Sequence, residues 1–399
     1  MKKTVRLLTP CISLCLSLFA VSCSNPYPEV PVKYHALLDS AFVHAGENGT
    51  ELKKVLAETP AEQKEGMAYL IAYMPDYDLT SLSAEVLKEN VEYAYRARRE
   101  FEWCKELPDS IFFNEVLPYH NVTETRDNWR KMFYERFSPY VKDCATLKEA
   151  VYAVNKNVRD ELLVDYNTKR RASDQGPFES MESKMASCTG LTILLNDAFR
   201  AVGIPARFAG TANWFDNRGN HSWNEVLIDG EWYFTEYYPE DLNRSWFATD
   251  AAKATVGSKN NGIFAVSYKP TGSYFPLEWD PAKKVNAVEV TPRYLEVCAY
   301  AIARDEKDSR VKLDLEAFNH LGYQAAHDNR IPVDITLYEG EKQIGGGTTC
   351  STQQDLNNYL TFLVDPEKEY TVVCVYDSIT KKEIVKVSKE DMRHWIIMK

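Results

Sequence analysis

The chain has 399 residues, 45% apolar and 26% charged, with a formal net charge of −11. That length implies two or three domains, and those fractions exclude a disordered or fibrous chain. The acidic balance argues against nucleic acid, or an anionic membrane surface, as an electrostatic partner.

Residues 1–22 read as a targeting segment. Lys2, Lys3 and Arg6 form a positive start, and residues 7–21 are largely apolar but too short for a comfortable membrane span. Ala20-Val21-Ser22-Cys23 resembles a bacterial lipobox. It predicts cleavage before Cys23, lipidation of that thiol and a tether over 23–33; a plain signal peptide is the alternative. The product expected is a body of about 377 residues, lipid-anchored in the cell envelope outside the cytoplasm.

Residues 34–142 read as a helical N-terminal region. Pro60 marks a helix start, and Ser83 opens a run through Val86, Leu87, Val91 and Ala94. Arg96, Arg98 and Arg99 beside Glu100 and Glu102 read as a solvated face with ion pairs. This block is expected to pack on the next domain, and its size alone suggests a part in shaping a groove. Thr146-x-x-Glu149 is a capping box for a helix with Leu147, Val151, Val154 and Val158 on one face. It opens a domain expected over 143–280. Residues 164–186 form a long polar stretch, and such loops are usually functional, so it is expected to line a cleft.

Cys188 follows at the start of a helical pattern in which Leu191, Leu194, Leu195, Ala198 and Val202 share a face. Gly203 and Pro205 stop it. Unpaired N–H groups and the positive dipole end at such a position favour a thiolate. The plain alternative is a small buried hydrophobe. Residues 221–238 read as a hairpin turning at Asp229-Gly230, which pairs Ile228 with Glu231, Leu227 with Trp232, Glu225 with Phe234 and Trp223 with Glu236. That register puts His221 diagonal to Glu236 on one face, about 7–8 Å apart at the backbone. A thiol, an imidazole and a carboxylate are what acyl transfer through a thioester needs. Trp214 and Trp223, flanking His221, are candidates to wall the site and bind substrate; core packing is the alternative.

At these residues the chain resembles the transglutaminase-like superfamily. The matching stretches are Ser187-Cys188-Thr189-Gly190, then Arg200 through Arg207, His221-Ser222-Trp223-Asn224-Glu225-Val226, and Asp229-Gly230-Glu231-Trp232. The resemblance covers roughly residues 145–250. It implies a papain-like core with Cys188 as nucleophile and His221 as base. Glu236 stands where the family usually carries Asp and is one methylene longer. The resemblance also implies an oxyanion hole from the Cys188 N–H and an upstream donor, for which Gln175, Trp129 and Tyr166 are candidates; Gln175 is also a candidate substrate contact. Members include cross-linking transamidases, peptidases, amidases and inactive relatives.

Beyond about Pro276 the pattern changes to short β-rich runs at 294–301, 311–318, 333–338, 359–364, 370–376 and 383–387. They predict an all-β sandwich-like module over 281–399, without a Cys/His/acid set, for scaffolding or binding. With Cys23 lipidated, Cys104, Cys144, Cys188, Cys298, Cys350 and Cys374 remain outside the targeting segment, and no Cys or His spacing suggests a metal site.

The reading as a whole is an α+β chain with a papain/transglutaminase-like core, acting on amide bonds of a peptide or glycopeptide without a cofactor. Hydrolysis is favoured over cross-linking, because water is the default acceptor. The alternative is a catalytically silent fold that binds peptide or glycan.

Overall fold

The computed structural model describes residues 26–239, 241–306, 309–320 and 329–398. The targeting segment and Cys23 lie outside these residues. Among them, no helix is long and apolar enough to cross a membrane.

Helices dominate up to Leu162, among them His35–His44, Ala84–Glu100, Arg130–Val141 and Leu147–Leu162. Ser83 caps Ala84–Glu100 by accepting from Val86 N–H, and the Thr146/Glu149 capping box forms as its spacing predicts. Arg96 pairs with Glu100 one turn along the exposed face. These helices do not reach the cleft described below. Ala84–Glu100, Arg130–Val141 and Leu147–Leu162 pack on the Cys188–Ala201 helix instead.

That coverage changes the character of the Cys188 helix. The sequence pattern shows one apolar face, yet every residue from Thr189 to Ala201 is buried. Its polar positions therefore find partners inside the protein, with Asp197 Oδ2 the exception. Asn196 and Asp197 bond Asn121, and Arg200 donates to the carbonyls of Glu115, His120 and Ala206. Arg130 in turn donates to Arg200 O and to the carbonyls of Val116, Leu117 and Pro118. Buried guanidiniums thus tie the helical block to the central helix. Leu194 and Leu195 are fully buried, each contributing about 1.5–3 kcal/mol.

The helix packs on a five-stranded antiparallel sheet, in the order Glu231–Thr235, His221–Ile228, Ala206–Thr211, Ile263–Val266 and Ala287–Glu289. The hairpin register is the one its turn predicts, with Ile228 opposite Glu231, Leu227 opposite Trp232 and Glu225 opposite Phe234. Asp229 adopts φ 52° and Gly230 φ 84°, the left-handed pair of a tight hairpin turn. The ladder ends at Asn224 and Thr235, so Glu236 sits just past it.

The C-terminal part is two sheets with a common core. Lys342–Thr348, Asp334–Glu339, Glu369–Tyr376 and Ile379–Lys386 form one; Leu360–Val364, Val311–Phe318 and Met392–Ile397 form the other. Leu313, Leu315, Leu337, Val372 and Ile396 fill the space between them. Residues 294–301, expected as a strand, lie instead in the helices Thr291–Val297 and Ala299–Glu306. There Tyr294 and Cys298, four apart, both bury against the aromatic cluster under the sheet. A short apolar run fits either period, and tertiary packing decided this one.

Candidate active site

Cys188 is the first residue of its helix, and Ser187 is the cap, its hydroxyl accepting from Gly190 N–H at 3.0 Å. Two bonds hold this end against the strand that carries His221. Thr189 Oγ1 lies 3.1 Å from Ser222 Oγ, and Asn224 Nδ2 donates to Thr192 O at 2.9 Å. Close approach of the strands also matters: a Cβ on Gly210 would fall 2.6 Å from His221 O.

His221 and Glu236 meet as expected, although the Trp223–Glu236 pair lies beyond the observed ladder. Nε2 and Glu236 Oε1 are 2.8 Å apart. An ionised carboxylate only accepts, so Nε2 carries the proton and Nδ1 faces the other way. Glu236 is itself held, its Oε2 accepting from Ser245 Oγ and its carbonyl from Asn155 Nδ2 at 3.0 Å. The extra methylene relative to Asp is taken up with no loss of the contact.

Nδ1 faces Cys188 and a group that no sequence pattern indicated. Asp355 Oδ2, from the loop between Lys342–Thr348 and Leu360–Val364, lies 3.4 Å from Nδ1, an ion-pair distance. The Cys188 sulfur, a ring nitrogen of His221 and an Asp355 oxygen all lie within 4.8 Å of one another. The C-terminal module, expected to carry no Cys/His/acid set of its own, places a carboxylate in the site. The same three donors are a set that could hold a metal ion, although no spacing in the sequence shows it.

Electrostatics follow from this packing. Burial opposes a charge on His221, but Asp355, Cys188 and Glu236 outweigh it and hold the imidazole pKa well above its ordinary value. Burial likewise opposes ionisation of Asp355, and the imidazolium, with the Asn357 N–H and Arg330, still brings its pKa below the usual carboxylate value.

The cleft around Cys188 encloses about 110 Å³, with Tyr166, Leu191, Glu236, Trp246 and Asp355 among its walls. Of the candidate oxyanion donors only Tyr166 is there, its hydroxyl accepting from Leu356 N–H at 3.3 Å. Trp129 is buried with its indole N–H on Tyr119 O. Gln175 is buried too, donating to Met185 O and Ser183 Oγ, so it is placed as a brace of the preceding loop and not as a substrate contact. Trp214 and Trp223 are stacked 5.9 Å apart in the core beneath His221 and do not wall the cleft. Trp246 takes that place, its ring 4.9 Å from the imidazole.

Residues 136–237 match the model of the transglutaminase-like superfamily. No curated protein matches the chain. Among solved structures, it is similar to a cysteine-protease candidate from Cytophaga hutchinsonii at 20% identity, covering 48% of this chain and 68% of that one, with a TM-score of 0.28. A red sea bream transglutaminase is similar at 10% identity, over 72% of this chain and 65% of that one, with a TM-score of 0.33. A protease candidate from Parabacteroides distasonis matches at 11% identity over 46% of this chain and 30% of that one, TM-score 0.22.

Proposed function

We propose that the transglutaminase-like domain at residues 136–237 is the core of a cysteine enzyme acting on amide bonds, more as a hydrolase than as a cross-linker. The observation that carries this reading is the His221 ring, fixed by Glu236 on one nitrogen and facing Cys188 with the other. Cys188 Sγ gives its proton to Nδ1 and attacks an amide carbonyl. Glu236 keeps the ring in register and balances the imidazolium. Tyr166, which lines the cleft, is the side-chain donor for the developing oxyanion beside the Cys188 N–H. The imidazolium then protonates the leaving amine, and water resolves the thioester.

Trapping tests this. Incubation with peptide amides followed by acid quench and intact-mass measurement is expected to show an acyl adduct on Cys188, shortened in lifetime by hydroxylamine. No adduct with any peptide, and no turnover, would contradict it. A second reading, a silent binding protein, has one observation in its favour: Asp355 occupies part of the cleft. Under either reading we propose a lipid anchor at Cys23, which fatty-acid labelling of wild type and Cys23→Ser would check.

A further inference from the structure

Asp355 reaches the cleft on a loop that the fold holds firmly. The guanidinium of Arg330, buried in the C-terminal module, donates to the carbonyls of Ser351, Gln354, Asp355, Leu356 and Asn358. On the other side, Asn357 Nδ2 donates to Asn220 O at 2.7 Å, next to His221. Gln354, Asp355 and Asn358 thereby become one wall of the site. One oxygen of Asp355 accepts the Asn357 N–H at 2.8 Å, and the other turns toward the imidazole and the sulfur.

The lining is selective in charge. Around the His221 ring, which both carboxylates flank, it holds Glu236 and Asp355, the rings of Tyr166, Tyr237, Tyr238 and Trp246, and no lysine or arginine among the described residues, so two acidic groups face one imidazolium. Carboxylates backed by aromatic faces suit an ammonium group. Distance then says where that ammonium sits on a substrate. A carbonyl carbon and the α-nitrogen of the same residue are about 2.5 Å apart. A charge-assisted hydrogen bond from that nitrogen to a carboxylate adds about 2.8 Å. A sulfur-to-carboxylate separation within 4.8 Å is spanned by one residue, whereas a second would add about 3.3–3.6 Å and carry its amine past Asp355.

We infer that Asp355 is a specificity-determining residue, binding the free α-ammonium of the N-terminal residue whose carbonyl Cys188 attacks. The enzyme then removes single residues from peptide N-termini; this rests on the reading of Cys188 as nucleophile. In the step itself the thiolate forms the S–C bond as the C–N bond breaks, and the leaving peptide amine takes the proton from His221. Water then cleaves the thioester, returning the thiol and a free amino acid.

The test compares alanyl chloromethyl ketone with its N-acetylated form, by the rate at which each labels Cys188 in the full chain. Wild type is expected to favour the free amine at least about tenfold, in line with one charge-assisted bond. Asp355→Asn brings the ratio near one, and Asp355→Glu restores part of it. Iodoacetamide labelling of Cys188, measured alongside, reports the fold and the nucleophile separately. Equal or faster labelling by the acetylated probe, a ratio untouched by Asp355→Asn, or no labelling by either probe while iodoacetamide reacts, overturns the inference and leaves the nucleophile standing. A Cys188 unreactive to iodoacetamide removes the nucleophile and this inference with it.

Discussion

Asp355 Oδ2 stands 3.4 Å from Nδ1 of His221, across the ring from Glu236. One imidazole is thus bracketed by two carboxylates, one from its own hairpin and one from the C-terminal module. The consequences are measurable in stability as well as in chemistry.

The pair predicts a pH window for stability. The His221 pKa is raised above 6.5, so its contribution is complete below that value and fades as pH rises through the folded pKa. The Asp355 pKa is lowered below 3.8, so its contribution is complete above that value and fades as pH falls through the folded pKa. Both are present between 3.8 and 6.5. The melting-temperature difference between wild type and Asp355→Asn is expected to be largest in that interval and to shrink on either side. A difference independent of pH would show that the two groups are not ion-paired.

Glu236→Gln keeps the size of the side chain but lets the ring turn to the wrong tautomer. On any peptide amide the enzyme turns over, kcat is expected to fall on the order of 10³–10⁴-fold, with KM little changed. Steady-state kinetics decide it, and a fall of less than about threefold would remove Glu236 from the mechanism.

Gly210→Ala puts a methyl where His221 O now lies 2.6 Å from the ideal Cβ position. The strands must part to accept it, at a cost of about 1–3 kcal/mol, and the shift is delivered to His221. The denaturant midpoint and the Cys188 alkylation rate are expected to fall together. Unchanged values in both would mean the sheet absorbs the methyl elsewhere.

Zn²⁺ is expected to seat on Cys188, His221 and Asp355 and to block the thiol, since Glu236 orients the ring from behind as the outer partner of a metal-binding histidine. Added zinc should slow alkylation of Cys188, with reversal by EDTA and a weaker effect in Asp355→Asn. Indifference to zinc would show that the donors do not converge on an ion.

Much of the site was legible in local pattern. Cys188 at a helix start follows from periodicity, and the Asp229-Gly230 turn sets the register that carries His221 to Glu236. Trp214 and Trp223 were ambiguous because an aromatic beside a site and one beneath it look alike in sequence; burial resolves that only in three dimensions. Asp355 was hidden for another reason. It comes from a separate module, and nothing local says which loop of a β-sandwich faces a neighbour. Its one signal was the polar stretch from Ser351 to Asn358 between two strands, long enough to invite the functional reading given to residues 164–186.

The most direct measurement is the alkylation rate of Cys188 by iodoacetamide near neutral pH, read by peptide mass spectrometry against Cys144, which is also partly exposed. Burial and the nearby Glu149 and Asp143 push the Cys144 pKa up, so it reports an unactivated thiol. Cys188 is expected to react at least about tenfold faster and to lose that advantage in His221→Ala. A Cys188 no faster than Cys144, and indifferent to His221→Ala, would contradict the account.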